Sequence, residues 1–132
     1  MAKEALVGQM LSPEMVKAGR ALLEQLDTRP IHVTGALWLF LPEAFTWRLV
    51  FAAPEVRLEG PKKVYSKIKS ASAKLPADSW TVSISDISVS DDRAPFIQAL
   101  RMLVNVEGGE VRVSRSSING MFVEDALIYR MR

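Results

Sequence analysis

Residues 35–53 read GALWLFLPEAFTWRLVFAA, and the reading of this stretch decides the fold. Pro42-Glu43-Ala44-Phe45 can reverse the chain between two apolar runs, which makes the stretch a β-hairpin. If Leu41 pairs with Thr46, then Phe40 faces Trp47, Trp38 faces Leu49 and small Ala36 faces Phe51. Such cross-strand pairs each stabilise a hairpin in this register by roughly 0.2–1 kcal/mol, while turn type and loop length are left open by the sequence. The first strand extends back to Ile31. Ile31, Val33, Leu37, Leu39 and Leu41 share one face, with Ala36, Trp38 and Phe40 on the other. Apolar residues on both faces predict a central strand, covered on each side by helices or by a partner chain.

Upstream, Ser12-Pro13-Glu14 predicts a helix start: a hydroxyl to cap, proline in the first turn and an acid at the positive dipole end. Met15, Val16, Leu22, Leu23 and Leu26 then recur on one side, until Arg29-Pro30 closes the helix. Downstream, Gly60-Pro61 opens a second helix over Lys62–Leu75, with Val64, Ile68, Ala71 and Leu75 as its apolar stripe. Trp80–Val89 reads as a strand whose alternation slips near Ser85-Asp86, as a bulge there or burial on both faces would produce. Asp91-Asp92-Arg93-Ala94-Pro95 leads into a third helix through about Leu103, facing inward with Phe96, Ile97, Leu100 and Val104. Asn119-Gly120 is a two-residue hairpin signature. It pairs Ile118 with Met121, Arg115 with Glu124, Val113 with Ala126 and Val111 with Ile128.

The order is therefore α-β-β-α-β-α-β-β. The prediction is a single-domain α+β layer sandwich over residues 12–132, with a mixed, mainly antiparallel five-stranded sheet and about three helices. Residues 1–11 are expected to form a tail or an additional short helix.

Composition narrows the chemistry. The 132 residues include no cysteine and one histidine, which excludes thiolate sites, disulfides and multi-histidine zinc sites. Seventeen basic and fifteen acidic residues give a formal charge of +2, too balanced to demand a polyanion by itself. No run approaches the roughly 18 apolar residues of a spanning helix, and Glu4 interrupts any signal-peptide pattern. The expectation is a soluble cytoplasmic protein with no membrane contact.

Among the acids, Asp86, Asp91, Asp92, Glu124 and Asp125 are the candidates for a magnesium site. Asp91 and Asp92 stand where a helix start favours acids, and Glu124 and Asp125 point to opposite strand faces. No metal, cofactor or catalytic residue is assigned to them. A nuclease-like pattern can be laid on Pro42-Glu43 and Glu55-Val56-Arg57, but its first acid falls in a hairpin turn. His32 reads as a strand residue satisfied by a neighbour rather than a general base, since no nucleophile is placed near it. Gly108-Gly109 reads as a turn, and Ser116-Ser117 lacks the surroundings of a nucleophile.

Two features point to binding. Trp38, Phe40, Trp47 and Phe51 form an aromatic hairpin face, a core surface or one that a protein partner covers. Lys62, Lys63, Lys67, Lys69 and Lys74 gather on the second helix with no acid among them, a face able to contact a polyanion or simply to keep the helix soluble. The leading expectation is a non-enzymatic protein-interaction domain, self-association into a homodimer included. The alternative is a nucleic-acid-associated protein using the lysine-rich helix, with or without a metal. The runs Gly35–Leu41, Trp47–Pro54, Gly60–Tyr65, Asp86–Val89 and Val123–Arg130 resemble a group of small uncharacterised bacterial proteins. The resemblance spans most of the chain and implies no activity, so no functional residue is carried over from it.

Overall fold

The computed structural model describes residues 10–132. Its elements are α1 (Pro13–Leu26), β1 (Gly35–Leu41), β2 (Thr46–Ala52), a short α2 (Glu55–Glu59), α3 (Pro61–Ser72), β3 (Ile87–Ser90), α4 (Pro95–Leu103), β4 (Val111–Ile118) and β5 (Met121–Met131). The sheet order is β3-β2-β1-β5-β4, with the β2–β3 pair parallel and the others antiparallel. This is the α+β arrangement expected from the residues, with β1 at its centre. The expectation for residues 1–11 falls mostly outside the described residues; Met10 and Leu11 lead into α1.

The decisive hairpin forms in the expected register: Leu41 pairs with Thr46, Phe40 with Trp47, Trp38 with Leu49 and Ala36 with Phe51. Phe45, at φ 52, takes the left-handed position that closes the turn. The ladder begins at Gly35 rather than Ile31. Ile31 and Val33 are buried but lie in the approach from α1, outside the ladder.

The two sheet faces carry different cores. Trp38, Leu49, Phe51, Ile87 and Tyr129 pack with Leu22, Leu23 and Leu26 of α1 and Val64, Ile68 and Ala71 of α3. Leu37, Val50, Val113, Ala126 and Ile128 pack with Ile97 and Leu100 of the nine-residue α4. Phe96 and Val104, expected on the inward face of α4, are only half-buried against this second core.

Two expectations for the strands need correction. Trp80–Val89 is not one bulged strand. Ile84–Asp86 form a 3-10 turn, Trp80 is 53% exposed, and only Ile87–Ser90 join the sheet, beside β2. The slip in alternation marked the change from loop to strand. Arg115 does not make a ladder pair with Glu124: it sits at φ 47, with Ser114–Asp125 and Ser116–Val123 pairing on either side. The buried positions change parity at that step, from Val113 to Ile118 on β4 and from Ala126 to Val123 on β5.

A polar knot fixes α1 to the sheet. The indole N–H of Trp38 donates to Tyr129 Oη at 2.9 Å and to the Met15 carbonyl at 3.2 Å, while Tyr129 Oη donates to the Val16 carbonyl at 2.6 Å. Two large side chains are thereby buried with their polar atoms satisfied, as burial requires. Removal of the phenol from water drives the Tyr129 pKa up, so it remains a protonated donor. Gly19 makes the approach possible, because a Cβ there would lie 2.8 Å from Trp38 Nε1 and nearer still to Tyr129 Oη.

Candidate functional site

The four aromatic residues singled out from the sequence are all core residues. Trp38, Phe40, Trp47 and Phe51 are exposed by 1%, 6%, 4% and 1%, in the cluster that also contains the inward side chains of α1 and α3. Arg112 lies over the Trp47 ring at 5.6 Å, and Phe40 packs against both Trp47 and the exposed Phe45. An aromatic surface in that position is the internal wall of the sheet.

The acids are dispersed and largely occupied. Arg57 bridges Asp91 and Asp92, and Arg112 binds Asp125 through two hydrogen bonds at 2.6 and 2.7 Å. Burial pushes the Asp125 carboxyl up, but Arg112 and the Ser114 hydroxyl outweigh it and hold the group below the usual range. Glu124 stands 3.9 Å from Arg115, and Asp86 is exposed at the 3-10 turn. Among the described residues no three carboxylates or histidines come together to hold a metal. The nuclease-like pattern is likewise separated, because seven-residue β2 runs between the turn holding Glu43 and the segment holding Glu55. That is roughly 20 Å of extended chain.

His32 and Glu55 form a closed pair. The buried Glu55 accepts from the His32 backbone N–H at 3.1 Å and meets His32 Nδ1 at 2.5 Å. Burial pushes the Glu55 carboxyl up, but the hydrogen bonds from His32, together with a further backbone hydrogen bond and the His32 charge, hold it below its usual range. Glu55 thus ties the approach to β1 to the start of α2 through both of its carboxylate oxygens.

The lysines behave differently. Val64, Ile68 and Ala71 turn α3 inward, so at 100° per residue the outward arc divides into three rows. Lys62 and Lys69 form one flank, and Lys63, Lys67 and Lys74 the other, Lys74 lying in the turn just beyond the helix. Ser66, Ser70 and Ala73 run between them as a low seam. Two open hollows share this seam. One of 530 Å³ is lined by Lys62, Tyr65, Ser66, Lys69, Ser70 and Ala73. The other, of 340 Å³, lies towards α1 and is lined by Arg29, Pro30, Lys63, Ser66, Lys67 and Ser70.

Of the five lysines only Lys67 has a carboxylate among the described residues, Glu59 at 2.9 Å, and it also reaches the Pro30 carbonyl at 3.3 Å. The sequence reading missed Arg29, seen there only as the residue that ends α1. Its guanidinium crosses to α3 and donates to the Ser70 carbonyl at 3.3 Å, with a buried Nε that has no partner and no carboxylate among the described residues. Arg130 nearby is neutralised: it grips Asp27 with bonds of 2.9 and 2.8 Å, which draw the Asp27 carboxyl below its usual pKa. Nothing local in the sequence marks Arg29 as different from Arg130, since the distinction lies in which acid the fold brings near.

The start of α3 also departs from what helix stability favours. Gly60 provides no side-chain cap, and the first turn holds Lys62 and Lys63 but no acid. Cations at a helix N-terminus oppose the macrodipole, whereas an anion placed there would be stabilised by both. Solubility alone does not require lysines at these two positions. No family model, no curated protein and no solved structure matches the chain.

Proposed function

We propose that this chain is a non-enzymatic binding domain, working in the cytoplasm, whose α3 face holds the phosphate backbone of a nucleic acid. The observation that carries the reading is the cation row itself. Lys62, Lys63, Lys69, Lys74 and Arg29 share one side of the molecule without a carboxylate among the described residues, and the only compensated member is Lys67. From Lys63 to Lys74 the row runs roughly 16 Å along the helix, enough to meet several successive phosphates. The serine seam allows a backbone to approach closely and adds hydroxyl donors. Lysine contacts of this kind position a polyanion without reading its bases, so the binding is sequence-independent.

Anisotropy of a labelled single-stranded oligonucleotide, titrated across salt, tests the proposal. About four neutralised phosphates give a slope near −3 in log K against log salt. An affinity unchanged between low and high salt rejects it.

A second reading, self-association, has its own support. Met102 and Leu103 at the end of α4 are 78% and 50% exposed, on the side of the sheet where, among the described residues, only that helix covers the core and Leu39 remains half-buried. Light scattering on the same samples separates the two: a dimer that persists without nucleic acid favours self-association, and a strict monomer rejects it.

A further inference from the structure

The two hollows on α3 differ in a way that assigns them different tasks. The outer hollow is flanked by Lys62 and Lys69, two flexible point charges about two turns apart, and suits a backbone passing along the helix. The inner hollow is bounded on one side by α3 and on the other by Arg29 and Pro30 at the end of α1. The Lys67 charge there is balanced by Glu59, leaving Arg29 and Lys63 as two cations around one concavity with no carboxylate partner among the described residues.

We propose that this inner hollow is a seat for a single phosphomonoester, the terminal phosphate of a nucleic-acid strand. Resting on the α3 reading above, the inference specifies which part of the ligand the inner hollow takes. A phosphomonoester carries nearly two negative charges at neutral pH, matching the two free cations, whereas a backbone diester carries one. Arg29 supplies the planar fork that binds phosphate oxygens in pairs, and it is held in place by the Ser70 carbonyl. Its Nε is already shielded from water, so its charge is less screened than that of a lysine extended into solvent. The hydroxyls of Ser66 and Ser70, exposed on the floor of the hollow, complete the donor set. Arg29 and Pro30 stand across the hollow from α3, so a strand that leaves the helix surface here meets the end of α1, which suits an end group.

The experiment compares one short single-stranded oligonucleotide in two forms, 5′-phosphorylated and 5′-hydroxyl, binding to the full chain and to R29K. Melting curves verify that the variant is folded. The expected result is about tenfold tighter binding of the phosphorylated form by the unaltered chain. In R29K, which keeps the charge but loses the fork, the ratio of the two affinities falls towards one, whatever the change in binding of the 5′-hydroxyl form itself. Equal affinity of the two forms for the unaltered chain, or a preference undiminished in both R29K and K63Q, overturns the seat while leaving the polyanion reading intact. Binding of neither oligonucleotide refutes the polyanion reading instead, and inorganic phosphate then judges the seat alone. A rise in melting temperature in the unaltered chain that R29K lacks upholds the seat, and no rise overturns it.

Discussion

Helices α1 and α3 lie on the same face of the sheet and share one core, yet they begin in opposite ways. Both have proline in the first turn. At α1, the Ser12 hydroxyl accepts from the Met15 N–H at 3.2 Å and Glu14 sits beside the positive end of the dipole. At α3, Gly60 offers no hydroxyl and Lys62 and Lys63 occupy the corresponding turn. The first start lowers the free energy of the isolated chain by roughly 1 kcal/mol through its cap and somewhat more through its acid. The second forgoes both contributions. Two helices with the same packing duty thus differ at the surface, and the proposed binding role of α3 rests on that difference.

The comparison is sharpest where α1 is most constrained. Gly19→Ala is expected to have the largest effect on stability, because the added methyl would enter the space of Trp38 Nε1 and Tyr129 Oη. Overpacking of this kind costs about 3 kcal/mol, and the better helix propensity of alanine returns about 1. Urea denaturation should show a clearly lowered midpoint, together with a change in Trp38 fluorescence as its hydrogen bonds to Tyr129 and Met15 are strained. A variant as stable as the parent would mean that α1 can shift off the sheet freely. No comparable glycine constrains the outward face of α3.

The next effect in size concerns the α3 start itself. Serine is a better capping residue than glycine in ordinary circumstances, and on that ground alone Gly60→Ser would repair the missing cap. The opposite is predicted. Gly60 closes α2 and opens α3 at φ 93, ψ 153, a backbone region essentially reserved for glycine. No atom lies within 4 Å of where a Cβ would stand, so the cost is backbone strain alone, about 1–3 kcal/mol. A thermal melt higher than the parent's would show that the junction can relax. The abrupt turn between two helices therefore explains why α3 lacks a cap, though it does not explain the lysines that follow.

These particulars also show what can be read from the chain. The β1–β2 register and the Asn119-Gly120 hairpin were legible because both depend on neighbours in sequence, with every cross-strand pair tested against a short turn. The order β3-β2-β1-β5-β4 was not, since the β1–β5 and β2–β3 pairings join segments separated by long stretches of chain. Trp80 read as a strand residue on propensity, but only Ile87–Ser90 find a partner in β2. The lysine row was visible because it lies on one helix. Arg29 was not visible, because its meaning depends on a contact across to Ser70 and on the absence, among the described residues, of an acid such as the one Arg130 finds in Asp27. Local chemistry was readable, and the assembly of distant cations into one hollow was not.

The smallest change in stability is predicted for the substitution that bears most directly on the contrast between the helices. Lys62→Glu with Lys63→Glu gives α3 the acidic first turn that α1 already has, and each acid there is worth about 0.3–1 kcal/mol. The double variant should therefore melt slightly higher than the parent. Its affinity for an oligonucleotide should fall by more than tenfold, because two contacts become two repulsions beside Arg29 and Lys69. If the lysines served only to keep the helix soluble, stability would rise and nothing measurable in binding would be lost. If they stabilised the fold through unseen pairing, stability would fall. Only a surface kept for an anion moves the two measurements in opposite directions, so both must be made on the same protein preparation.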